Sequence, residues 1–144
     1  MTEKLLTFVT RREAQIEQAP HCVHEWLCRP GLVAAEHLLL VRATMPAGKA
    51  HAFHIHPGCE EIIYVLEGQA EQWVEKRRQV LGHGEVAHIP VGAVHATYNR
   101  SDRPLVFLAI LTPAQPPPGC VDVSGEEPWR HLAAPGESPQ GGTY

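Results

Sequence analysis

Short runs of apolar and polar residues, broken by Gly or Pro, fill the chain from Glu36 onward. HLLLVRATM, AFHIH, EIIYVLEG, AEQWVE, RQVL, EVAHIP, VHATYN and LVFLAIL are rich in β-branched and aromatic residues. They recur at intervals of roughly 8–12 residues, the spacing of an all-β sandwich or barrel. No segment sustains the helical period of apolar positions. The pattern predicts one barrel over residues 36–112, without internal repeats.

The flanks read differently. Residues 1–35 form an N-terminal irregular segment packing on the barrel, with a short helical turn expected at residues 10–18 (TRREAQIEQ) and loop punctuation in APHCVHEWLCRPGL. Trp26 and Cys28 are its expected anchors. Residues 113–144 make a Pro/Gly-rich C-terminal segment: TPAQPPPG cannot continue a sheet, residues 120–132 return to cover the barrel through Trp129, and the end is expected to be mobile. The run at 37–45 is long, apolar and near a sheet edge, and such an edge needs covering. A second copy of the chain would cover it, giving a homodimer; residues 3–9 (EKLLTFV) are the alternative cover.

Composition narrows the function. The 144 residues are 44% hydrophobic and 19% charged, with a formal net charge of −4, which suits one soluble domain with a single core. The largest basic run, KRR at 76–78, reads as a hairpin tip, so neither a nucleic-acid partner nor a membrane partner is expected. The N-terminus lacks the continuous apolar region of a signal peptide, and the four cysteines form no CxxC pair. A cytoplasmic location with free thiols follows as the expectation. Ten histidines are an excess, and their placement carries the chemistry.

Residues 51–68, HAFHIHPGCEEIIYVLEG, concentrate that chemistry. In a strand, residues i and i+2 share a face, so His54 and His56 project together. Pro57–Gly58 turns the chain, and Glu61 opens the next strand on one face with Ile63 and Val65. His95 follows the Pro90–Gly92 turn in GEVAHIPVGAVHATYN. Three imidazoles and a carboxylate suit one divalent transition metal ion: Fe, Mn, Ni, Cu or Zn. Glu60 competes with Glu61, but a shift by one would turn Ile63 and Val65 outward.

These residues carry a family resemblance. Gly48, five residues, His54-x-His56, four residues, Glu61, six residues and Gly68 resemble the first signature of the cupin superfamily. Gly84, five residues, Pro90-x-Gly92, two residues, His95, three residues and Asn99 resemble the second. The fifteen residues between the motifs resemble the spacing of small single-domain microbial cupins. The resemblance implies a single-domain cupin jelly-roll β-barrel with His54, His56, Glu61 and His95 as metal ligands. It also implies a small-molecule substrate, and dimers among similar proteins.

Strand parity then predicts a mostly apolar cavity lined by Ala52, Ile63, Val65 and Thr97, with His51 on the outer face or rim. Glu60 and His88 are the candidate proton carriers; a dedicated catalytic residue is not identified. Cys59 reads as a free thiol at a loop tip, Trp73 and Tyr64 as packing residues, and His21, His24, His37, His83 and His131 as loop or edge residues. The expected function is a metal-dependent enzyme acting on a small oxygen-bearing organic molecule, dioxygenase-like. The alternatives are a redox-neutral isomerase or cyclase using the same metal as Lewis acid, or a non-catalytic binding module.

Overall fold

The computed structural model describes residues 4–114 and 119–132; the expected mobile end of the chain lies outside them. The alternating runs form strands β1 (Gln15–Gln18), β2 (Val23–Cys28), β3 (Leu39–Met45), β4 (Ala50–Ile55), β5 (Glu60–Glu67), β6 (Ala70–Val74), β7 (Arg77–Leu81), β8 (Val86–Ile89), β9 (His95–Tyr98), β10 (Leu105–Thr112) and β11 (Val121–Asp122). A single helical turn, α1 (Trp129–Leu132), follows. No helix among the described residues is long and apolar enough to cross a membrane.

The strands make two antiparallel sheets, ordered β1-β2-β3-β10-β5-β8 and β11-β4-β9-β6-β7. They pack face to face as the jelly roll expected from the sequence. Alternation explains the core: Leu39, Val41, Ala43 and Met45 of β3 are buried together with Ile63 and Val65 of β5 and Phe107, Ala109 and Leu111 of β10. The outer face of the five-stranded sheet is also covered. There Phe53 meets Trp73 edge-on at 5.6 Å, Tyr98 at 6.2 Å and Trp129 at 5.4 Å between ring centroids. Val123, Trp129 and Leu132 thus seal a second apolar layer.

The N-terminal segment departs from expectation. Thr10 and Glu13 do close a turn, the backbone N–H of Thr10 donating to Glu13 Oε2 at 2.7 Å, but the chain then extends into β1 instead of continuing a helix. β2 pairs along β3, with Val23 opposite Thr44 and Trp26 opposite Val41. The supposed edge at 37–45 is therefore covered on both sides within this chain, by β2 and β10. The described part of the alternative cover, residues 4–9, is engaged elsewhere: the Leu6 N–H donates to Leu32 O at 2.9 Å. The edge argument for a homodimer accordingly falls away.

Candidate metal centre

A cavity of about 330 Å³ opens between the sheets, at the small end of the roughly 300–1,000 Å³ typical of ligand pockets. One wall is apolar, with Leu39, Val41, Ile63, Phe107, Ala109 and Leu111 from the six-stranded sheet. The opposite wall carries His51, His54, His95 and Thr97 of β4 and β9.

His54, His56 and His95 bring their ring nitrogens within 4.8 Å of one another. Each ring is oriented through Nδ1 by a backbone carbonyl: His54 to Ala52 O at 2.6 Å, His56 to Gly119 O at 2.9 Å and His95 to Ala93 O at 3.0 Å. A carbonyl only accepts, so each Nδ1 carries the hydrogen and each Nε2 keeps its lone pair. This is the tautomer a metal ligand needs, held by the partner type that orients ligating imidazoles.

Glu61 completes the group from β5. Its Oε1 lies 2.8 Å from His95 Nε2 and 3.4 Å from His56 Nε2. His95 Nε2 and Glu61 Oε1 are buried, and neither completes a hydrogen bond despite that distance. With Nδ1 holding the ring hydrogen, two electron-rich atoms face each other at 2.8 Å. Only a cation, a proton or a metal ion, relieves such an arrangement in a dry interior. The residues present therefore fit a divalent ion.

Burial sets the protonation of the cluster. It pushes His54 and His51 well below the ordinary histidine range, with the neighbouring imidazoles adding to the effect. It also lowers His56, against the opposing pull of Glu61. Burial acts downward on His95 too, but the adjacent Glu61 carboxylate outweighs it and the net shift is upward. Neutral imidazoles are the metal-binding form, so most of the set is already deprotonated for a cation.

The region from Val41 to Leu111 matches the cupin domain family. An RmlC-like cupin from Shewanella frigidimarina superposes with a TM-score of 0.66 at 19% identity, over 79% of this chain and 96% of that one. This is a cupin-domain protein. The cupin also resembles DMSP lyase DddQ from Ruegeria pomeroyi, with a TM-score of 0.66 and 29% identity over 78% of this chain and 62% of that chain. In sequence it resembles an uncharacterised protein of Methanocaldococcus jannaschii, 24% identical over 111 residues, 77% of this chain and 82% of that protein.

Within the cupin barrel, several residues lie elsewhere than strand parity predicts. His51 is in the cavity, its ring stacked on His54 at 3.6 Å with 11° between planes. The cause is a bulge: His51 pairs with Thr97 and His54 with His95, so Ala52 and Phe53 together oppose Ala96. Three residues apart, His51 and His54 then face the same way. Ala52 is buried but absent from the lining, and it serves through its carbonyl to His54. Val65 belongs to the packed core rather than the cavity, whereas Ile63 and Thr97 do line it.

The expected proton carriers are outside. Glu60 and His88 pair on the outer face of β5 and β8 at 2.6 Å, both about half exposed. The parity that buries Glu61 turns Glu60 to solvent. Cys59 is buried rather than at an exposed tip, its thiol donating to Pro113 O at 3.4 Å. His21 and His24 are not ordinary loop residues. Together with Glu17, Cys22 and Trp26 they line the cavity from the β1–β2 hairpin, and Cys120 joins them from the segment before β11. The available signal was the alternation in HCVHEW at 21–26, which reads equally well as a strand.

Proposed function

We propose that this cupin is a metal-dependent enzyme that transforms a small oxygen-bearing organic molecule by redox-neutral proton transfer, as a lyase or isomerase. The observation that carries the reading is the facing pair His95 Nε2 and Glu61 Oε1, buried among neutral imidazoles at the end of a ligand-sized cavity. His54, His56, Glu61 and His95 would hold the ion, which when bound would supply Lewis acidity toward a substrate oxygen.

The chain's own residues do the rest. The apolar wall of Leu39, Val41 and Phe107 excludes water and strengthens polar interactions inside. Thr97 donates its hydroxyl to Gln72 Oε1 at 2.6 Å, which fixes the floor beside His95. His51, stacked on His54, joins His21 and His24 as a cavity imidazole outside the ligand set, and burial keeps its ring neutral, so that it orients a substrate hydroxyl and does not store its proton. The resemblance to a lyase at 29% identity supports the redox-neutral class. The dioxygenase-like chemistry expected from the sequence would use the same four donors, so dependence on oxygen is the deciding property.

The test is turnover of a panel of small carboxylates, hydroxy acids and keto acids by zinc-, manganese- and iron-loaded protein, with and without oxygen. Turnover without oxygen in a redox-inert metal form, lost in His56→Ala, is the expected result. Turnover that requires both iron and oxygen would replace this reading with the oxygenase one. Tight binding of a chelating compound without turnover in any metal form would make the protein a binding module.

A further inference from the structure

The β1–β2 hairpin carries donor chemistry that the first centre does not use. His24 Nε2 lies 3.0 Å from Cys22 Sγ, and His24 Nδ1 lies 3.1 Å from Glu17 Oε1. His21 brings a ring nitrogen within 4.8 Å of both of these ligand atoms. Cys22 and His24 are two residues apart on a strand-like path and share a face. The turn closed by the Ala19 N–H on Cys22 O at 2.9 Å swings His21 to the same side. All three side chains line the cavity.

We propose that His21, Cys22 and His24 form a second metal site, for a soft divalent ion of the zinc class, on the cavity wall at the β1–β2 end of the six-stranded sheet. Two imidazoles and a thiol are the donor set that selects such an ion over magnesium or calcium. Three protein ligands leave a fourth position open, as in metal sites that admit a ligand, and here it faces the cavity. Glu17 accepts from His24 Nδ1, so Nε2 keeps its lone pair and accepts from the Cys22 thiol; a carboxylate behind a ligating imidazole has this orienting effect.

Burial acts in opposite senses on the two ligand types. Burial and the nearby Glu17 carboxylate push the Cys22 thiol up to about 12, so without a cation it stays protonated. Burial and the neighbouring His24 push His21 down to about 4, so its ring is neutral. Entry of a divalent ion therefore displaces the thiol proton to solvent, one proton released for one thiolate–metal bond formed.

The site is distinct from the first centre. None of its residues belongs to the His54, His56, Glu61 and His95 group, and His51 stands between them, stacked on His21 at 4.2 Å and on His54 at 3.6 Å. A third grouping, His51, His54 and Cys120, shares His54 with the first centre and so does not fill independently of it.

The decisive measurement is zinc and cobalt titration of the full chain. Wild type should take up about two ions per chain at saturation, and Cys22→Ser about one. Cobalt-loaded wild type should show a sulfur-to-cobalt charge-transfer band, because the first centre contains no thiol. That band should vanish in Cys22→Ser and persist in both Cys120→Ser and His56→Ala. The persistence in His56→Ala separates this site from the first centre, whose own failure would leave the band untouched. Circular dichroism and first-centre occupancy in Cys22→Ser report that the variant is folded. Saturation of wild type at a single ion, or a band that survives Cys22→Ser or disappears in Cys120→Ser, would overturn the proposal.

Discussion

Adjacent carboxylates on β5 provide a sharp test of the first centre, because one residue of separation puts them in opposite environments. Glu61 is 5% exposed, with Oε1 between His95 and His56. Glu60 is half exposed and paired with His88. Glu61→Gln preserves shape and removes the charge that would face the cation. Unit charges about 4 Å apart at an effective dielectric of about 20 interact by about 4 kcal/mol, and dehydration of the ion offsets part of this. Loss of groups that merely orient ligands already costs about 10–100-fold in affinity. Loss of a ligating carboxylate should therefore cost at least about 100-fold, or ~2.8 kcal/mol. Glu60→Gln removes only an exposed ion pair worth roughly 0.2–1 kcal/mol. Its effect on metal affinity should stay within about twofold. Competition against a chromophoric chelator at neutral pH reads both affinities, and circular dichroism checks the fold of each variant. Equal losses in the two variants, or a larger loss in Glu60→Gln, would refute the reasoning and invert the facing of residues 61–66.

Two further perturbations probe the scaffold around the site. Gly68 has φ +82°, and an added Cβ would lie 2.5 Å from the Pro104 carbonyl oxygen. Gly68→Ala should lower stability by more than about 2 kcal/mol in denaturant titration, whereas Gly58→Ala, at φ +74° with open space around it, should cost only about 1 kcal/mol; similar losses would remove the contact argument. Tyr98 is buried under Phe53, and burial pushes its phenol up to about 12 despite the opposing Arg100. A phenol that ionises more readily when unfolded makes the unfolded state hold fewer protons above pH ~10. Stability should then fall by up to about 1.4 kcal/mol per pH unit between about 10 and 12. Tyr98→Phe should flatten that slope, and an unchanged slope would assign the alkaline loss to other groups.

Sequence periodicity by itself determined most of the barrel. Gly- and Pro-bounded runs located the strands from β3 to β10, because a half-buried strand must alternate its side chains and end where the backbone turns. The same period-two rule placed Glu61 inward and Glu60 outward, since Ile63 and Val65 had to reach the core. Tertiary structure decided what local alternation does not encode. The bulge between His51 and His54 exists because β4 must register with β9 on both sides of Ala96, and it turns His51 from the rim into the cavity. The carbonyl that orients His56 belongs to Gly119, 63 residues away. Cavity residues from the N-terminal segment depend on β2 pairing with β3, an edge that the sequence alone assigned to a second copy, with residues 3–9 as the alternative. Pairing of that kind is settled by which strand buries the most apolar surface while satisfying the exposed backbone groups. It brings His21, Cys22 and His24 to a cavity whose histidines on β4 and β9 lie at least 27 residues further along the chain.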